Sequence, residues 1–191
     1  MGQGNARGIR RDMAAFTLAA LAVATTPALA TVDSFIKIAG VDGESVDEQH
    51  KGEIDVLSWS WGLNGASSRA SSTNPSQPVG PVAGACTRAF TIIKQVDKAS
   101  PSLFANAATG TSIPSAVITI RKAGRGQQEF MTITLSNVFV SSVAEAGASS
   151  DEGPTESVTF NFSSVLITYM PQNADGSAGD PIKAPAPGSC P

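Results

Sequence analysis

Apolar and polar residues alternate along most of the chain after residue 30, a period that predicts strands rather than helices. Thr31 to Ile38 reads as the first strand, with Phe35 and Lys37 facing opposite to Ile36 and Ile38. Ala39 to Gly52 is a polar loop, too long for a hairpin turn. Asp55 to Leu63 then sets Leu57, Trp59, Trp61 and Leu63 on one face, which requires a sheet with a buried side. Gly65 to Ala85, rich in Ser, Gly, Pro and Asn, has no usable period. Phe90 to Val96 resumes the alternation as a third strand.

One helix interrupts the strands. Ser100-Pro101 starts it, Ser as the N-cap and Pro at the first helical position; Leu103, Phe104, Ala107 and Ala108 form its apolar face, and Gly110 closes it. Ser115 to Arg121 and Glu129 to Val140 are strands joined by a turn containing Gly124 and Gly126. The apolar phase shifts after Leu135 to Val138 and Val140, which a bulge near Ser136-Asn137 would produce. It shifts again across Ser163-Ser164, from Val158, Phe160 and Phe162 to Val165, Ile167 and Tyr169. Two phase changes imply bent strands. The expected fold is therefore all-β with one flanking helix, a small β-barrel of antiparallel strands. Pro171 to Pro191 is a Pro/Gly/Ala tail with no core-forming pattern.

Composition fits that picture. At 191 residues the chain suffices for one domain with a real core, and a charged content of 15% with 18 glycines suits strands and long turns. The first thirty residues differ: Arg7, Arg10 and Arg11 form a basic head, Met13 to Val23 an apolar segment, and Ala28-Leu29-Ala30 a small-residue cleavage site. This is the layout of a secretory signal peptide, and Arg10-Arg11 also raises a twin-arginine route. Without residues 1–30, three of 13 basic and one of 16 acidic residues are lost, leaving a net charge of −5. No basic patch remains for nucleic acid, and no segment suits membrane insertion after cleavage.

Candidate chemistry is sparse. His50 is the one histidine, without a Cys or second His nearby, so a metal or catalytic role gives way to surface or interface packing. Asp42, Glu44, Asp47 and Glu48 do not follow calcium-loop spacing and read as a solvated acidic loop. Trp59 and Trp61 could stack a ligand, but Leu57 and Leu63 share their face, which favours core packing. No Ser-His-Asp or Cys-His set can be assembled, so no enzymatic activity, cofactor or metal is expected. Cys86 and Cys190 could pair in an oxidising compartment, a cross-link worth about 4–5 kcal/mol in the chain-entropy model, or could remain free thiols.

Short segments in order carry a resemblance. They are Asp33-Ser34-Phe35-Ile36-Lys37-Ile38, Gly43-Glu44-Ser45, His50-Lys51-Gly52-Glu53-Ile54-Asp55, Phe90-Thr91-Ile92-Ile93-Lys94 and Asp97-Lys98-Ala99-Ser100-Pro101. Pro154-Thr155-Glu156-Ser157-Val158 and Asp175-Gly176-Ser177-Ala178-Gly179 complete the set. Together they resemble the type VI secretion tube protein family, haemolysin-coregulated protein (Hcp). The resemblance implies a barrel with one helix forming stacked hexameric rings, with sheath, spike and effector proteins as partners. The leader layout and the patternless tail set the expected domain limits: 1–30 leader, 31–170 Hcp-like barrel, 171–191 tail. The resemblance also makes the two long loops subunit contacts, with Glu44, His50, Lys51, Ser68 and Arg69 as interface residues.

Two features depart from that family: the leader and the prolines Pro75, Pro78 and Pro81 in the long loop. A start at Val32 from a GTG codon would give a cytoplasmic chain that opens like other members; a genuine leader would give a periplasmic or secreted one. The rival expectation is an exported Hcp-like binding module that no longer builds a tube.

Overall fold

The computed structural model describes residues 32–65, 84–123, 127–147 and 153–190. The leader, the loop bearing Ser68, Arg69 and the three prolines, and the turn at Gly124 and Gly126 lie outside the described residues. The described residues form eleven strands and one helix: β1 (Val32–Ile38), β2 (Ile54–Asp55), β3 (Ser58–Ser60), β4 (Leu63–Asn64), β5 (Cys86–Thr87), β6 (Phe90–Gln95) and α1 (Ser100–Thr109). They continue as β7 (Ser112–Lys122), β8 (Glu129–Ala146), β9 (Thr155–Asn161), β10 (Ser164–Tyr169) and β11 (Ile182–Pro187).

The main sheet runs β2-β1-β7-β8-β9-β6-β3, with β10 and β11 branching from β8, and all pairs are antiparallel. Its ladder does not close on itself. Instead its two ends are consecutive pieces of chain: Val56 donates its N–H to Ser34 O on β1, and Leu57 donates to Ile93 O on β6. This one segment joins both edges of a curled sheet.

That change of partner corrects the expected Trp strand. A single strand from Asp55 to Leu63 would bury Leu57 and Leu63, but both are exposed, at 57% and 52%, while Ile54 and Val56 enter the core. The crossing between edges at residues 56 and 57 breaks the alternation on which the expectation rested. Trp59 and Trp61 do pack on the core margin, with ring centroids 6.1 and 6.4 Å from that of Phe90.

Inward residues of every long strand fill the core, among them Ile36, Phe90, Ile92, Ile118, Ile133, Leu135, Val158 and Phe160, each fully buried. Burying each such side chain contributes about 1.5–3 kcal/mol. The first half of β8 pairs with β10 and the second half with β9, so the two phase changes lie side by side, Ser136 opposite Ser164 and Phe139 opposite Asn161. At the first of them the expected bulge is absent, since β7 stays in register from Ile113↔Val138 to Ser115↔Ser136. Asn137 instead takes a left-handed conformation, φ 49°, which rotates the following side chains to the other face. Register shifts occur elsewhere, near Arg121 on β7 and between Val140 and Ser142 on β8.

The helix begins differently from expectation. Ala99 is the N-cap, and Ser100 is the first helical residue with its hydroxyl turned inward. Leu103 enters the core and Ala107 packs against it, whereas Phe104 is 61% exposed. Gly110 ends the helix with φ 63° and donates its N–H to Asn106 O. The tail also departs from its patternless reading, because Ile182 to Pro187 add to β10 as an edge strand. Pro185 and Pro187 lack an N–H and are tolerated because, among the described residues, that edge has no further neighbour.

Candidate functional site

The first loop is folded, not merely polar. Gly43 N–H donates to Gly52 O at 2.8 Å, Ser45 N–H to Glu53 O at 2.9 Å, and Gly52 N–H to Ser45 O at 2.8 Å. Asp47 Oδ1 accepts the amides of Gln49 and His50, a turn that short acidic side chains favour. Gly43 must be glycine here, since a Cβ would sit 2.1 Å from Glu53 O.

This loop docks on the outer face of β1. Phe35 is held between the His50 ring, stacked at 4.2 Å and 10°, and the Arg121 guanidinium, 4.8 Å from the ring centroid. Arg121, 2% exposed, pairs with Asp47 through both of its terminal nitrogens and with Asp33 Oδ2 at 3.3 Å. The hydrogen bonds from Arg121 hold the Asp47 carboxyl down to about 2, below its usual 3.8. Asp47 in turn raises the pKa of Arg121. His50 Nδ1 lies 3.0 Å from Glu53 Oε2, and Nε2 lies 3.5 Å from Glu129 Oε1.

His50 is 4% exposed and clamps the loop to the sheet from inside the chain, so its side chain is not on the surface of the single chain. Glu44 and Lys51 do stand outside, both exposed. Between the buried Ser45 and the Arg121-bound Asp47 stands Val46, 93% exposed. The loop thus presents Glu44, Val46 and Lys51 outward from a rigid base. The available signal for Val46 was its spacing from Asp42 and Glu44, charged residues four and two positions earlier that share its phase.

A second polar cluster anchors α1. Lys94 Nζ, wholly buried, donates to Glu156 Oε1 at 2.6 Å, Asp97 Oδ1 at 2.7 Å and Gln95 O at 2.7 Å. Ser100 Oγ donates to the same Glu156 oxygen at 2.7 Å. In the sequence these residues stand out only within the segments that carry the resemblance, and Ser100 as a helix cap; nothing there joins them into a cluster, although Phe90, Ile92 and Lys94 share the inward phase of β6. A third region is an apolar groove lined by Val32, Leu57, Trp59, Ile120, Phe130 and Met131.

Among the described residues no group of three His, Cys, Asp or Glu side chains is placed to hold a metal ion. No helix among them is long and apolar enough to cross a membrane. The clusters are structural clamps beneath exposed loops and grooves, an arrangement suited to contact with other proteins.

The family model described as "Type VI secretion system effector, Hcp" matches residues 35–169, which span both clusters except Asp33 and the main sheet except the start of β1 and the tail strand. The chain belongs to the Hcp family. It is 42% identical to protein hcp1 of Pseudomonas aeruginosa over 154 residues, covering 80% of this chain and 92% of that protein. Its fold is similar to the crystal structure of Hcp1 from Salmonella typhimurium, with a TM-score of 0.63 and 32% identity over 83% of this chain and 95% of that one. It is likewise similar to a type VI secretion system effector from Yersinia pestis, with a TM-score of 0.65 and 30% identity over 81% and 99% of the two chains. Hcp proteins are secreted through the type VI system and form a structural, not enzymatic, family. In this Hcp chain Cys86 and Cys190 are bonded to each other, with S–S 1.96 Å.

Proposed function

We propose that this chain is a ring-forming tube subunit of a type VI secretion apparatus, assembling as stacked hexameric rings able to carry effectors in the lumen. The match to the Hcp family across residues 35–169 carries the reading. The exposed apolar side chains support it: Val32, Val46, Leu57, Leu63 and Ile182 are each more than half exposed, and a second copy would cover them. Glu44 and Lys51 give the loop around Val46 charges of both signs for pairing across a subunit boundary, a role extended to Ser68 and Arg69 in the long loop. Sheath and spike proteins complete the apparatus. Light scattering on the purified chain from Thr31 onward tests this: a particle of six chains supports it, and a strict monomer at high concentration sinks it.

A second reading, an exported Hcp-like module that binds a ligand or effector without building a tube, draws on two observations. The first thirty residues have a leader's layout, and the Cys86–Cys190 bond suits an oxidising compartment. N-terminal sequencing after cell fractionation separates the two. A periplasmic monomer starting at Thr31 favours the module; a cytoplasmic ring-former starting near Val32 favours the tube.

A further inference from the structure

We propose that the Cys86–Cys190 bond is a redox latch on the C-terminal edge of the sheet, opened by a dithiol reductant and closed again in an oxidising medium. The bond joins residues 104 positions apart and staples the end of the chain onto β5. Around it Thr87 N–H donates to Gly188 O at 2.9 Å, Cys190 N–H to Thr87 O at 2.8 Å, and Thr87 Oγ1 to Pro187 O at 3.0 Å. Ser189 N–H donates to Phe162 O at 2.9 Å, while its hydroxyl accepts the Phe162 N–H. Gly188 lies so close that a Cβ would meet Phe162 O at 2.4 Å.

The strand leading into this staple is held by its ladder to β10 and by a single apolar contact. All of β11 is exposed except Ala186, which alone packs against the core. Pro185 and Pro187 have no amide to donate, and among the described residues β11 borders no strand beyond β10. β4 and β5 form a separate two-stranded sheet, so the disulfide also ties that pair to the end of the main sheet. The bond adds a covalent restraint to a strand whose other restraints are one ladder and a few hydrogen bonds.

Both cysteines are partly exposed, which gives an incoming thiolate access. Asn64 Nδ2 lies 3.5 Å from Cys190 Sγ and stabilises negative charge developing there. The thiolate therefore attacks Cys86 Sγ, the S–S bond breaks, and Cys190 leaves as thiolate. The second thiol of the dithiol then attacks the mixed disulfide and releases Cys86 as thiolate. The dithiol ends as a disulfide, the protein gains two electrons, and two protons convert both sulfurs to thiols.

Amide exchange of the full chain, read by mass spectrometry on the peptide holding Ile182 to Cys190, tests the latch. On adding dithiothreitol, exchange there is expected to rise about ten-fold or more and to recover on reoxidation. The Cys86→Ser and Cys190→Ser double variant should match the reduced protein and ignore the reagent. Equal exchange of this peptide in oxidised and reduced wild type overturns the proposal, whatever the variant does. Asn64→Ala should slow reduction severalfold; an unchanged rate overturns the leaving-group assignment.

Discussion

Lys94 and Glu156 face each other directly across the β6–β9 ladder, with Lys94 Nζ 2.6 Å from Glu156 Oε1 and neither side chain reached by solvent. Ser100 Oγ shares the same carboxylate oxygen, so the pair ties the first turn of α1 to two strands. Removing Lys94 leaves the Glu156 carboxylate buried with only the Ser100 hydroxyl as a partner, whereas removing Glu156 leaves Lys94 still paired with Asp97. Lys94→Met is expected to cost about 3–5 kcal/mol in urea unfolding, while Lys94→Met with Glu156→Leu recovers most of that loss. If the double variant is no better than Lys94→Met, the cost lies in packing rather than in the unpaired charge.

Much of this fold was legible because β1, β6, β9 and the first half of β8 each keep one partner face, so alternation reports burial directly. Lys94 and Glu156 obey the same phase as Phe90, Ile92, Val158 and Phe160, and position alone placed them inward. Leu57 and Leu63 misled because the chain changes sheet edges at residues 56 and 57, which no local period records. β11 was invisible because it is an exposed edge of Pro and Ala residues with no apolar alternation, formed by pairing with β10. His50 read as a surface residue because the partners that bury it, Phe35 and Glu129, lie on strands that only the fold brings together.

The docked loop depends on one close approach. Gly43→Ala would place a methyl group against the Glu53 carbonyl and force the loop outward, parting His50 from Phe35. A loss of about 3 kcal/mol is expected, at the upper end of ordinary substitutions. Gly65→Ala, where nothing lies within 4 Å of the added methyl, is the control and should leave the unfolding midpoint nearly unchanged. Equal effects of the two would remove the steric account.

Acid should release the same loop. The Asp47 carboxyl has its pKa depressed from 3.8 to about 2 by Arg121. Its contribution to stability is therefore complete above the unfolded value and is lost as pH falls from about 4 toward 2. Urea midpoints of wild type should fall through that window by more than those of Asp47→Asn, which has no carboxyl there to protonate. Parallel pH profiles for the two proteins would mean that the pair with Arg121 contributes nothing to folding.

Val46 and His50, four residues apart, separate assembly from folding. Val46 is 93% exposed, so Val46→Glu should change monomer stability by no more than about 0.5 kcal/mol. If the loop meets a neighbouring subunit, the introduced carboxylate beside Glu44 places uncompensated charge in that contact, and light scattering should show rings giving way to monomers. His50→Ala should behave in the opposite way at the level of the fold. It empties the stack on Phe35, leaves Glu53 and Glu129 without the ring between them, and lowers the unfolding midpoint before any effect on assembly is read. Rings that persist in Val46→Glu at unchanged concentration dependence would exclude this loop from the subunit contact and leave the apolar groove beside Val32 and Leu57 as the surface to test next.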